Sequence, residues 1–409
     1  MKKQLSIART LSLDFLLNIA ATLISTGTMQ LLLYPQLAAN LGEVSYGTML
    51  TIMGAVNVIV LAFGNNLAQV RLVNEHDYEN KEENGDFQIF LLVSCFLSSI
   101  CILAVCFLMN IPKAEIAPII ILVITTVLKS YYLVAFRLSI DYRRNLVANI
   151  IMALGYILAA VFLLSIFHWS WAFTIANILC IIYICCSSKI IFDPLKITSL
   201  FRQSLKSYAM LIIGGLLSNL TTYLDRFIIY PLLGAASVSS FFVATYFSKS
   251  ISLVFSPITS VLLSYFTQGR IKLTVNNYLL INLIVSVCSV VLVFVCVTFG
   301  AWLTGLLFPS LYIEATPYIF LGSVGTVISI ACGFNNIVIL VTASPVWQTL
   351  IPVIYTPLYL ILAIVLSSQF GLEGMCAALI LAGAIRFLMI FIIGLFSLLK
   401  SGSNLKWQL

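Results

Sequence analysis

Along this chain polar residues interrupt apolar ones at long intervals instead of alternating with them. Apolar windows recur roughly at 11–34, 46–69, 87–109, 115–136, 146–167, 170–189, 207–230, 237–266, 277–301, 315–340, 346–367 and 371–397. A half-buried strand shows a period of two, and a surface helix of a soluble protein carries one apolar face. These windows are apolar nearly all round. Crossing a hydrocarbon layer of about 30 Å takes about 20 such residues in a helix. The pattern therefore predicts an all-α polytopic membrane protein of about twelve transmembrane helices joined by short loops.

Composition excludes the soluble alternative. Of 409 residues, 61% are hydrophobic and 9% charged, against about 45–50% apolar and about 25% charged in soluble domains. Even a large soluble domain buries only about three quarters of what its unfolded chain exposes, so lipid has to be the solvent for this surface. Twelve spans leave no length for an extramembrane domain. The start, Met1-Lys2-Lys3 before an apolar stretch, imitates a secretory signal. Its apolar run continues to about Leu33, too long for a signal core, so it is read as the first span.

The net charge of +7 comes from bases scattered singly between apolar runs, without the basic patch and interleaved aromatics of a nucleic-acid binder. With the N-terminus in the cytoplasm, the cytoplasmic loops and both tails collect 17 of the 21 Lys and Arg, among them Arg143, Arg144, Lys189 and Lys196, while the outer side receives only Lys113. That bias predicts both termini inside a bacterial cell membrane and an even number of spans. The ten cysteines lie in apolar runs without metal-ligand spacing and read as small buried hydrophobes. No metal or cofactor is expected. The segment from Glu75 to Asp86, with six acids and Lys81, reads as a solvated cytoplasmic loop.

The two halves share a short signature. Tyr34-Pro35 precedes Leu41-Gly42-Glu43-Val44-Ser45, and Tyr230-Pro231 precedes Leu233-Gly234-Ala235-Ala236-Ser237. Six spans per half make such repeats parallel, related about the membrane normal. The expected organisation is an N-terminal lobe over 1–200 and a C-terminal lobe over 201–409, two pseudo-symmetric six-helix bundles around a central cavity.

The chemistry lies with ionisable residues inside the spans. Each costs about 2.5–3.5 kcal/mol at a helix centre and has to face a cavity or a partner. At about 1.5 Å per residue, Lys249 lies roughly 18 Å into the eighth window and Arg386 roughly 22 Å into the twelfth, beyond easy snorkelling. Both are candidates to face a ligand. Asp225 and Arg226, near the outer end of the seventh, point to different helix faces and each need a partner or water. Lys129 and Arg137, beside Tyr131 and Tyr132, fit an aromatic belt with snorkelling bases, and Lys129 also stands as a fourth basic cavity candidate. Asp14, one turn from Asn18, and Asp225 are candidates for binding a coupling ion. The intramembrane set is net basic, which suits an anionic cargo in a weakly screened enclosure.

Two segments carry a family resemblance. Leu41-Gly42-Glu43-Val44-Ser45-Tyr46-Gly47 resembles the turn after the first span of Wzx-type polysaccharide flippases, members of the multidrug/oligosaccharidyl-lipid/polysaccharide exporter superfamily. Ser207-Tyr208, Tyr223-Leu224-Asp225-Arg226-Phe227-Ile228 and Leu233-Gly234-Ala235-Ala236 resemble the start of that family's second half. The sequence departs at Glu43, where proline is common, and at Ser239, where a glycine-tyrosine pair is frequent. The resemblance implies a flippase that carries polyprenyl-diphosphate-linked oligosaccharide units from the cytoplasmic to the outer leaflet for O-antigen, capsule or exopolysaccharide synthesis. It also implies two rocking lobes, proton or sodium coupling, and a polymerase and glycosyltransferases in the same pathway. A multidrug or metabolite exporter of that superfamily shares the layout. A polysaccharide polymerase or membrane glycosyltransferase is the competing enzyme class. Such enzymes need a sizeable external loop, whereas the outer loops near 110–114, 167–170 and 231–236 are short and the one near 302–314 offers only Glu314. The reading is therefore a transporter and not an enzyme.

Overall fold

The computed structural model describes residues 16–81, 85–163, 167–267, 274–344 and 346–404. In hydrocarbon every backbone N–H and C=O has to be satisfied within the protein, which leaves helices as the spanning form for such apolar segments. The described residues contain no strand and form twelve long helices: α1 (16–41), α2 (43–80), α3 (Phe87–Leu108), α4 (Lys113–Leu138), α5 (Tyr142–Phe162), α6 (Ser170–Ser187), α7 (Phe201–Leu233), α8 (Ala235–Thr267), α9 (Val275–Leu307), α10 (Tyr312–Thr342), α11 (346–370) and α12 (372–404). The chain is a multi-pass membrane protein of the expected helical class.

Three successive helix pairs are separated by a single glycine in the left-handed region. Gly42 has φ 72°, Gly234 φ 89° and Gly371 φ 61°. Glycine enters this region without the clash a Cβ makes, so one helix ends and the next begins with almost no loop. Gly42 and Gly234 are the glycines of the two Leu-Gly pairs, and the internal match thus marks the same turn in each half.

The chain divides into two compact units, one of Met1–Leu41 with Thr51–Tyr223, the other of Gly42–Leu50 with Leu224–Leu409. The second unit takes in the start of α2 because that segment packs on the start of α8. A Cβ on Gly47 would lie 1.8 Å from the Ala235 carbonyl oxygen, so only glycine permits this approach. The Ser239 hydroxyl donates to the Glu43 carbonyl at 2.6 Å, and Tyr46 is buried against Phe242 and Phe308. At the first residue of α2, ahead of the apolar window that begins at 46, Glu43 is pushed up to about 6 by its hydrogen bond to Glu314, by burial and by Glu314's charge.

The first unit corrects part of the reading of residues 75–86 as a solvated loop. His76, Asp77, Glu79 and Lys81 are exposed as expected, and residues 82–84 lie outside the described residues, but the segment starts as helix and ends buried. Helix α2 runs on through Asn80, and Arg71 on it donates to Tyr131 at 2.8 Å and to Asp193 at 2.5 Å while lying 3.4 Å from Glu75. Asp86 is fully buried. It accepts from Tyr78 at 2.7 Å, from the Thr198 backbone N–H at 2.8 Å and from the Thr198 hydroxyl. Burial and the bond to Asp86 push the Tyr78 phenol up to about 12. Asp86 thus ties the segment between α6 and α7 to the unit, since a buried carboxylate needs donors on every side.

The cysteine expectation also needs correction. Cys106, Cys180, Cys296, Cys332 and Cys376 are buried, whereas Cys101, Cys186 and Cys288 are exposed. The exposed faces around them carry large apolar residues such as Phe96, Val287 and Val291. Where the solvent is lipid, a thiol gains little by being inside.

Candidate functional site

In the second unit the charged residues of α7, α8 and α12 fall into separate settings. Asp225 receives the Lys249 ammonium at 2.5 Å, with 7% of the Asp225 side chain and 34% of the Lys249 side chain exposed. The Arg226 backbone N–H donates to Asp225 at 2.9 Å. The Arg226 guanidinium turns the other way, donating to the Leu50 carbonyl at 2.8 Å and resting 5.1 Å from the Phe242 ring centre. The two neighbours thus point to different faces as expected. Lys249 is also 5.3 Å from the Phe241 ring centre. It is a candidate cation that the structure brings to a carboxylate partner, and its exposed fraction shows that the pair still borders open space.

Arg386 on α12 is set differently. Its guanidinium carbon lies 4.8 Å above the Tyr355 ring, itself stacked on Tyr359 with centroids 5.9 Å apart. Its Nε is buried with no hydrogen-bond acceptor. Stacking on an aromatic face attracts a cation when desolvated but does not neutralise it.

In the first unit the snorkelling reading of Lys129 is overturned. Tyr131, its expected belt partner, is fully buried and bonded to Arg71. Lys129 instead lines a cavity of about 190 Å³ within the unit, between α1, α2, α4, α5 and α6. Its ammonium meets the Met152 thioether at 3.7 Å. The wall adds Ser25, Asn57, Thr126 and Asn177 as polar groups and Tyr156 and Phe173 as rings. Asn177 donates to Thr126 at 2.9 Å, and Ser25 donates to Asn149 at 2.8 Å. From there Asn149 donates to the Asn145 carbonyl at 2.9 Å and Asn145 to Asn18 at 3.1 Å. A ladder of amides thus joins the early part of α1 and α5 to the cavity wall. Among the described residues, no ion pair includes Lys129 or Arg386.

Of the remaining candidates, Asp14 lies outside the described residues. Its expected companion Asn18 belongs to the amide ladder. The sequence reading missed Met152, Asn149, Asn177, Tyr355 and Tyr359. Isolated amides and tyrosines in apolar runs carry no periodic signal, and only contact with Lys129 or Arg386 distinguishes them. Among the described residues no group of three or more His, Cys, Asp or Glu could hold a metal.

No family model matches the chain, and no curated protein does. Solved structures do. A multidrug resistance MATE family transporter of the MOP superfamily, in an inward-facing conformation, aligns over 95% of this chain and 96% of its own with TM-score 0.64 and 14% identity. The lipid II flippase MurJ, in an inward closed conformation, aligns over 98% of this chain and 87% of its own with TM-score 0.62 and 16% identity. The Vibrio cholerae MATE transporter VcmN in its bent form covers 97% and 99% with TM-score 0.56 and 15% identity. The chain therefore has the helical fold of MOP-superfamily transporters over nearly its whole length.

Proposed function

We infer that this protein is a flippase for polyprenyl-diphosphate-linked oligosaccharide units, moving them from the cytoplasmic to the outer leaflet by alternating access for synthesis of a surface polysaccharide. One observation carries the reading: once Asp225 is matched to Lys249, the cations Lys129 and Arg386 remain without a carboxylate among the described residues. A charge kept in a membrane protein interior at a cost of kilocalories faces a pathway or a partner, and here the missing partner is an anion. A diphosphate or acidic sugar supplies it, whereas a cationic drug is repelled.

Lys249 adds a basic contact when Asp225 releases it, and Arg226, on the other face of α7, adds one where its guanidinium leaves the Leu50 carbonyl. The first six and last six helices act as the working lobes. Proton or sodium coupling runs through Asp225, since a bound cation there releases Lys249, with Asp14 as a second acid. The setting is a bacterial inner membrane with both termini cytoplasmic, next to the glycosyltransferases and polymerase that make and consume the cargo. The lipid II flippase MurJ, similar in fold, favours a lipid-linked cargo, and the MATE transporters favour the second reading, a multidrug or metabolite exporter.

The test is transport by the protein in proteoliposomes. A fluorescent polyprenyl-diphosphate oligosaccharide should change leaflets, and Arg386→Gln should slow it at least about tenfold with the protein still folded. Movement of a quaternary ammonium dye with the lipid-linked sugar left in place would transfer the protein to the exporter reading.

A further inference from the structure

We propose that the cavity around Lys129 is a binding site for a single acidic sugar residue, a carboxylate-bearing hexose such as a hexuronate, so that the cargo's saccharide contains one. The proposal rests on the flippase reading and names its substrate class. Four features of the wall carry it.

The first is charge. Lys129 meets a thioether, a weak acceptor, and lies in no ion pair among the described residues. One ammonium matches one carboxylate, while a phosphate group brings about 1.5–2 negative charges and a diphosphate more, which a lone lysine leaves largely unbalanced. The second is size. About 190 Å³, at roughly 30 Å³ per water molecule, equals about six waters. That is the space of one sugar ring, and the cavity is open on one side, where the rest of a saccharide would extend outward.

The third is hydrogen-bonding capacity. Ser25, Thr26, Asn57, Thr126 and Asn177 line the cavity. The Ser25 and Thr126 hydroxyls donate to Asn149 and to the Leu122 carbonyl and so accept from a ligand, while the amides of Asn57 and Asn177 carry both donors and an acceptor. A sugar's hydroxyl groups need both roles, and an inorganic anion needs donors only. The fourth is the aromatic wall. Tyr156 and Phe173 pack edge to face at 6.1 Å and present apolar surface to the C–H face of a ring. Small-ligand sites combine such surfaces with a few placed polar groups. The amide ladder from Asn18 through Asn145 and Asn149 to Ser25 extends the polar lining beyond the cavity.

Glucuronate, glucose and acetate are the probes, titrated against the full-length protein in nanodiscs and read by ligand-detected NMR. Wild type should bind glucuronate at least about tenfold more tightly than either glucose or acetate. Lys129→Met should remove that preference. Met152→Glu, which sets a carboxylate beside the ammonium in its place, should remove it too, and keeps the test decisive where Lys129→Met does not fold. Equal binding of acetate and glucuronate means an adventitious anion only, and glucuronate binding untouched by both variants places its site elsewhere; either result overturns the proposal. The assay needs no translocation. A protein that flips lipid-linked sugars yet fails it loses only the acidic-sugar claim, and one that binds glucuronate but flips nothing loses the flippase reading.

Discussion

Two lysines, one in each unit, hold their charge in opposite ways. In the second, Asp225 and Lys249 close to 2.5 Å and Arg226 is occupied by a backbone carbonyl. In the first, Lys129 faces a cavity with a thioether as its neighbour. A paired charge holds helices in place and is costly to break. An unpaired one holds nothing and is retained for what enters the cavity. The difference teaches that an intramembrane lysine is assigned a role by what faces it, since Lys249 and Lys129 are the same residue type in similar apolar runs.

Breaking the pair should give the largest effect. Asp225→Asn leaves the partly exposed Lys249 beside a neutral amide. Removing one partner of a fully buried pair costs about 3–5 kcal/mol, and exposure of Lys249 lowers that to about 3 kcal/mol. Thermal unfolding in detergent should show the loss, and adding Lys249→Met should recover more than half of it. A single variant as stable as wild type would refute the contrast.

A smaller loss follows from Gly47→Ala, whose new Cβ has to displace the Ala235 carbonyl, at about 1–3 kcal/mol. Gly27→Ala in the first unit is the matched control, because nothing lies within 4 Å of its added carbon. Equal unfolding temperatures for the two variants would remove the reason given for grouping residues 42–50 with the second unit.

The smallest effect is a pH dependence. Glu43 in the folded chain titrates at about 6, above its ordinary 4.5, first through the hydrogen bond to Glu314. A folded-state carboxyl that holds its proton more tightly stabilises fully at pH values below 4.5, and that contribution is lost as pH rises through about 6. The unfolding temperature should therefore decline slightly from pH 5 to 7. Glu314→Gln should flatten the decline, and an unchanged slope would separate Glu43 from Glu314.

Much of the fold was legible because a membrane helix declares itself. Hydrocarbon demands a continuous apolar run, and each of the twelve windows reappears as a helix among the described residues. The two Leu-Gly pairs were legible for a related reason, since a helix junction without a loop requires glycine. The site was legible only in its ionisable members. Within residues 75–86 Asp86 was misread because acidity signals water, whereas it is buried under Tyr78 and Thr198. Of the two readings of Lys129 the aromatic belt failed, because nearby tyrosines signal an interface whereas Tyr131 faces Arg71.

By itself the sequence determined the solvent, the helices and the residues whose charge had to be answered, because transfer energies and glycine turns act locally. Only the tertiary structure decided how each charge was answered. Asp225 meets Lys249 across 24 positions, and Lys129 meets Met152 across 23. A partner at that distance is set by which helix faces pack together, and no local pattern encodes it.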